Sequence, residues 1–121
     1  MTKRKIDTSN GLIMDVNIGA KVWCETLVRP RDIVVKAAVA AFEISPILIE
    51  RDMEVSVRLS TDDEVRVLNR IYRNKDQPTN VLAFPAFDTE DLERLPAGVP
   101  FCLGDIIIAF ETATTEAEGG A

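Results

Sequence analysis

Leu68–Pro85 reads LNRIYRNKDQPTNVLAFP, and it holds a helix end, a polar turn and a strand in eighteen residues. Upstream, Thr61-Asp62-Asp63-Glu64 forms a capping box: the Thr61 hydroxyl accepts from the backbone three residues on, and Glu64 reaches back to the cap. The spacing predicts a helix from there to Tyr72 or Arg73. At about 100° per residue, Val65, Val67, Leu68, Ile71 and Tyr72 share one side, and Arg66, Arg70 and Arg73 share the other. Asn74–Thr79 contains Pro78 and reads as a turn. Asn80–Phe84 is a short apolar strand closed by Pro85.

Working outward, Val55, Val57 and Leu59 alternate with Glu54, Ser56 and Arg58, which predicts a strand with one apolar face. Leu12, Met14, Val16 and Ile18 alternate in the same way with Ile13, Asp15, Asn17 and Gly19. Trp23 follows as a packing anchor. Between these strands, Pro30 suits a first helical turn, and Ile33, Ala37, Ala40, Ala41 and Ile44 fall at helical spacing until Ser45-Pro46. Downstream, Ala86–Pro100 is a long acidic loop, Phe101–Phe110 a buried strand and Glu111–Glu118 a helix start with almost no apolar mass. Alternating strands and helices imply one α/β layered domain over residues 1–121, with a mixed sheet of about four strands flanked by helices.

Composition narrows the function classes. The chain has 121 residues, 46% hydrophobic and 28% charged, as in ordinary globular domains. No apolar run is long enough to span a bilayer, so no membrane partner is expected. The basic Met1–Lys5 start lacks an apolar stretch after it and reads as a frayed end, not a secretory signal. Cys24 and Cys102 lack a partner pattern, which suits reduced thiols in a cytoplasm. The net charge of −6 argues against a free-standing nucleic-acid binder, yet its distribution is uneven. Residues 1–85 carry 13 Lys/Arg against 12 Asp/Glu, whereas residues 86–121 carry one against eight.

The chemistry-bearing candidates cluster around the opening stretch. Arg66, Arg70, Arg73 and Lys75 form a basic stripe suited to successive phosphates of a single strand, since guanidinium groups grip phosphate through paired donors. The plain alternative is a solvated helix face, with Asp62 neutralising Arg66 from one turn upstream. Asp76, Thr79 and Asn80 either shape a site at the turn or bond their own backbone. Gly104 inside a strand implies close approach of a backbone or ligand, and Asp105 beside it needs a partner or an exposed face. The chain contains no histidine, so Ser-His-Asp, Cys-His and HExxH arrangements are excluded, and two thiols without histidine make a poor transition-metal site.

The opening block followed by LGDIII (Leu103–Ile108) resembles the YbeY family of bacterial endoribonucleases and rRNA maturation factors. The likeness is strongest over residues 52–118. It implies a mixed four-stranded sheet of metallohydrolase type and cleavage of single-stranded RNA in small-subunit rRNA maturation and ribosome quality control. It further implies a cytoplasmic setting and a functional, catalytic role for Arg73, the arginine of the Tyr-Arg pair. Arg70 is expected to help hold RNA. The family's zinc-binding histidine motif has no counterpart here, and Ala83 stands where serine is common. The expectation is therefore a truncated product that neither binds zinc tightly nor cuts RNA, with self-association through a sheet face that lacks its covering helix. The alternatives are a metal-dependent hydrolase of another substrate, or a non-enzymatic ribosome-associated module.

Overall fold

The computed structural model describes residues 5–7, 11–43, 52–86, 94–96 and 98–119. Its elements in chain order are β1 (Lys5–Asp7), β2 (Leu12–Ile18), α1 (Val22–Thr26), α2 (Pro30–Glu43), β3 (Met53–Ser60), α3 (Asp62–Arg73), β4 (Val81–Pro85), β5 (Phe101–Ala109) and α4 (Phe110–Gly119). The strands form one open sheet of order β1-β2-β3-β5-β4. The three central strands run parallel, and β1 and β4 add antiparallel edges. The α/β mixed-sheet class expected from the sequence holds, with five strands rather than about four. The extra strand begins at Lys5, which the sequence reading left in a frayed end. Three residues are too few to display an alternation.

One sheet face is dry. Leu12, Met14, Val16, Met53, Val57, Leu59 and Phe101 are buried together with Trp23. The period-2 pattern puts them there, because successive strand side chains point to opposite faces. Trp23 lies in α1 and donates its indole Nε1–H to the Ser60 carbonyl at 2.8 Å, and its ring meets Phe110 edge-on at 5.2 Å. The buried polar end of the indole is thereby satisfied.

Helix α2 covers this face through Val34, Val35 and Ala38. The sequence reading had assigned Ile33, Ala37, Ala40, Ala41 and Ile44 to that contact. Ile33 is instead 48% exposed, Ala37, Ala40 and Ala41 are exposed, and Ile44 lies outside the described residues. Beyond a narrow side with Asp32 and Lys36, α2 is Ala- and Val-rich, so periodicity alone does not select which part of its wide apolar side packs.

The opposite face is covered only at one end. Val65 of α3 packs with Leu82 and Ala109 in a second, smaller core, joined by Leu68, Phe84 and Ile107. The expected apolar side of α3 is thus split. Val65 is fully buried and Leu68 half-buried, but Val67, Ile71 and Tyr72 remain exposed. Asn69 takes a buried place beside Val65. Its Nδ2 donates to the Gln77 carbonyl at 2.8 Å, so the helix is tied to the turn after it.

Both ends of α3 are fixed locally. The Thr61 hydroxyl accepts from the Glu64 N–H, as predicted, but Glu64 does not close the capping box. Its carboxylate goes to Arg58 and Ser60. At the other end Asn74 adopts the left-handed conformation (φ 56°), and its N–H and that of Lys75 donate to the carbonyls of Arg70 and Asn69. This is the common αL termination of a helix, reached here with Asn.

Gly104 (φ 130°) explains how β4 sits against β5. A Cβ there would lie 2.2 Å from the Phe84 carbonyl oxygen and 2.9 Å from Pro85 Cα. The close approach foreseen from the sequence is therefore that of the β4 backbone. Beside it the β3–β5 register shifts: Glu54 pairs with Cys102, and Val55 with Gly104. Leu103 is the extra residue of a β-bulge.

Candidate nucleic-acid interface

The basic stripe lies on α3 and the turn that follows it. Arg66, Arg70 and Arg73 are all exposed, and so is Lys75. Arg66 is engaged: its Nε donates to Asp76 Oδ1 at 2.8 Å and its Nη2 to Asp76 Oδ2 at 3.2 Å. This bidentate pair holds the Asp76 carboxyl below its ordinary range and raises Arg66 above its own. The neutralising partner of Arg66 is therefore Asp76, ten residues on, and not Asp62. The turn folds back along the helix and brings Asp76 there.

Asp62 is used elsewhere. Its carboxylate accepts from the Thr112 backbone N–H at 2.9 Å and from the Thr112 hydroxyl at 2.7 Å, while its own N–H donates to Glu111 Oε1 at 3.2 Å. The N-termini of α3 and α4 thus cap each other. Among the described residues, Arg70, Arg73 and Lys75 form no ion pair. They sit in the last turn of α3 or just beyond it, where cations complement the helix dipole.

Thr79 and Asn80 do shape the turn. Asn80 Oδ1 accepts from the Val81 N–H at 2.8 Å and from the Thr79 hydroxyl at 3.4 Å. Its Nδ2 donates to Glu116 Oε2 at 2.9 Å, which fastens the turn to α4. Asp76 shapes the same turn through Arg66.

Beneath Tyr72 lies a groove of about 490 Å³ on the half-covered sheet face. The sequence reading did not assemble it. Its floor is a polar row across three strands, Asp15, Ser56 and Asp105, with Asn17 and Arg58 one step along. Tyr72 and Phe84 form one wall, their rings 5.3 Å apart and inclined at 67°. Arg58 donates to Glu64 (2.5 Å and 3.2 Å) and to Asn17 Oδ1 (2.8 Å). Hydrogen bonding to Arg58 is the main cause of the lowered Glu64 pKa, and a Ser60 bond adds to it. Gly19 leaves room for this guanidinium, since a Cβ there would lie 2.8 Å from it. The signal available in the sequence was the polar alternation of β2 and β3. What it lacked was the strand order that sets those residues side by side.

A family model described as Endoribonuclease YbeY matches residues 29–120. The chain belongs to the YbeY family. A relative named endoribonuclease YbeY from Erythrobacter litoralis is 47% identical over 83 residues, which cover 68% of this chain and 52% of the relative. Another of that name from Novosphingobium aromaticivorans is 46% identical over 108 residues, 88% of this chain and 62% of the relative. A third, from Paramagnetospirillum magneticum, is 52% identical over 65 residues, 54% of this chain and 39% of the relative. The matched part is thus 39–62% of the length of these YbeY proteins.

The zinc expected from the YbeY resemblance does not fit the residues present. The chain has no histidine, and among the described residues no three Cys, Asp or Glu side chains converge as a metal site. Cys24 is exposed on α1 and Cys102 half-buried on β5.

Proposed function

We propose that this chain carries the RNA-holding part of a YbeY endoribonuclease, which acts on single-stranded RNA in small-subunit rRNA maturation and quality control in the cytoplasm. The observation that supports this most is the charge left over on α3. Arg70, Arg73 and Lys75 form no ion pair among the described residues, although Arg70 lies within the field of Asp76, while Arg66 is spent on Asp76. Guanidinium groups stay charged at any working pH and grip a phosphate through paired donors. Arg73 holds the phosphate nearest the reacting bond and Arg70 the next one along the strand. Asp76, Thr79 and Asn80 keep the turn beside them in shape. No hydrolytic step is assigned to the residues present, since none fits a metal and none is histidine. Among the described residues no helix is long and apolar enough to cross a membrane.

Fluorescence anisotropy with a labelled single-stranded RNA tests this reading. The Arg70→Ala/Arg73→Ala pair is expected to weaken binding at least ~10-fold and to lower the log–log salt slope by about 1.4, roughly 0.7 per lost phosphate contact. Arg66→Ala is expected to change affinity less than ~2-fold. Unchanged binding by the double variant overturns the reading.

The histidine-free donor set favours a second reading, a non-enzymatic module that docks on the small ribosomal subunit. Co-sedimentation with subunits without any cleavage supports it. Self-association through the half-open sheet face is weaker on physical grounds. The open groove interrupts its apolar lining of Leu68, Tyr72, Phe84 and Ile107 with Asp15, Asn17, Ser56, Arg58 and Asp105, so it is not a continuous apolar patch.

A further inference from the structure

We propose that the groove under Tyr72 is a base pocket that selects a nucleobase carrying an exocyclic amino group: cytosine, adenine or guanine over uracil. This rests on the RNA-holding reading of α3 and adds specificity to it. The volume of about 490 Å³ lies within the range of small-ligand sites.

The polar part of the floor sets two carboxylates beside Ser56 and Asn17, among Val57, Ile106 and Ile107. Asp15 and Asp105 flank Ser56 across three neighbouring strands, in register and about 4.8 Å apart per strand. One Asp15 oxygen, Oδ1, is shut off from solvent and has no hydrogen-bond partner. A buried acceptor without a donor is uncommon in folded proteins; this one lies beneath the groove surface, so the carboxylate that meets an incoming donor is the exposed Asp105. Arg58 is not that donor, because its guanidinium is committed to Glu64 and Asn17. For the same reason the groove does not suit a phosphate: its lining presents two carboxylates and, among the described side chains, no uncommitted cation.

The wall supplies the other half. Tyr72 is 66% exposed at the rim, with Phe84 edge-on behind it and Leu68 beneath. Exposed aromatic faces stack unpaired bases, and each such contact is worth about 1–3 kcal/mol. Tyr72 directly precedes Arg73, about 100° round α3, so the rim of the groove and the end of the basic stripe are neighbours on the last helical turn. In this arrangement the phosphate faces Arg73, and the base turns inward to the carboxylates. A carboxylate accepts from cytosine N4 and from the amino groups of purines. The same oxygen faces the O4 carbonyl of uracil without a proton between them, which is repulsive.

The test compares oligocytidylate with oligouridylate of about 12 nucleotides, bound to the 121-residue chain at neutral pH. The two bases have nearly the same shape and differ in the amino group. The wild-type chain is expected to bind oligocytidylate ~10-fold tighter, the discrimination of one good base contact. Asp105→Asn alters an exposed side chain and is expected to leave the fold intact. It and Asp15→Asn should bring the two affinities within ~2-fold by weakening oligocytidylate alone, with circular dichroism melts to confirm folding. Tyr72→Ala should weaken both oligomers. Equal wild-type affinities that still depend on Arg70 and Arg73 overturn the base pocket, leave the RNA reading standing and give the groove to a protein segment. A preference for oligocytidylate that persists in Asp105→Asn and Asp15→Asn overturns it as well. Absence of binding to either oligomer overturns both.

Discussion

The two faces of the sheet are built from the same strands and do different work. On one, Leu12, Met14, Val16, Val57 and Leu59 lie dry beneath α1 and α2. On the other, the intervening residues Asp15, Asn17, Ser56 and Arg58 floor an open groove, and α3 covers only the β4–β5 end. Stability therefore resides mainly on one side, and exposed chemistry on the other. Burial of large apolar side chains is the dominant favourable term in folding, whereas solvent-facing ion pairs contribute little.

The sharpest way to break this contrast is Leu59→Ala. Leu59 is fully buried, so the change is expected to cost about 2–5 kcal/mol in a urea melt through lost transfer energy and a cavity. A loss below ~1 kcal/mol would mean that the dry face is not where stability resides. Gly104→Ala comes next. The new methyl runs into the β4 backbone and strains a positive φ, at about 1–3 kcal/mol. Because β4 also carries Phe84, the aromatic wall should shift with it, and Tyr72 fluorescence would report the change. The smallest effect is a pH dependence on the polar face. The Glu64 carboxyl is lowered from its ordinary value near 4.5, first by its hydrogen bond to Arg58. A lowered carboxyl adds stability that is fully present above the unfolded value and is lost as pH falls through the folded one. Wild type should thus lose this increment between about pH 5 and the lower folded value, whereas Glu64→Gln should lack it throughout. As both side chains are more than a third exposed, the difference is expected below ~1 kcal/mol. Parallel acid melts of the two proteins measure it.

The same contrast shows what was legible in the chain. The dry face could be read directly: the alternation of β2 and β3, the Thr61 cap and the mixed α/β order all appear in the structure. Short elements were not legible, since neither three residues of β1 nor five of α1 display a period. Nor was the packed side of α2, whose apolar side is wide, or of α3, where Asn69 rather than Ile71 is buried. The candidate site was legible in part. The exposed arginines could be seen in the helical spacing, but the pairing of Arg66 with Asp76 depends on how the turn folds back. The groove depends on β3 lying next to β5 with β4 outside, an order no local pattern encodes.

One inserted residue sets the phase of the last central strand. Before Leu103, Cys102 shares the groove side with Glu54; after it, Asp105 and Ile107 do so, opposite Ser56 and Arg58. Were Leu103 paired as an ordinary strand residue, the count along β5 would be off by one. Gly104 would then stand beside Ser56, and the carboxylate of Asp105 would be driven into the hydrocarbon layer next to Val57. The acidity of the groove and the dryness of the core are therefore not separate inventions of this strand. They are two readings of a single step in its count, and both depend on Leu103 standing outside the ladder.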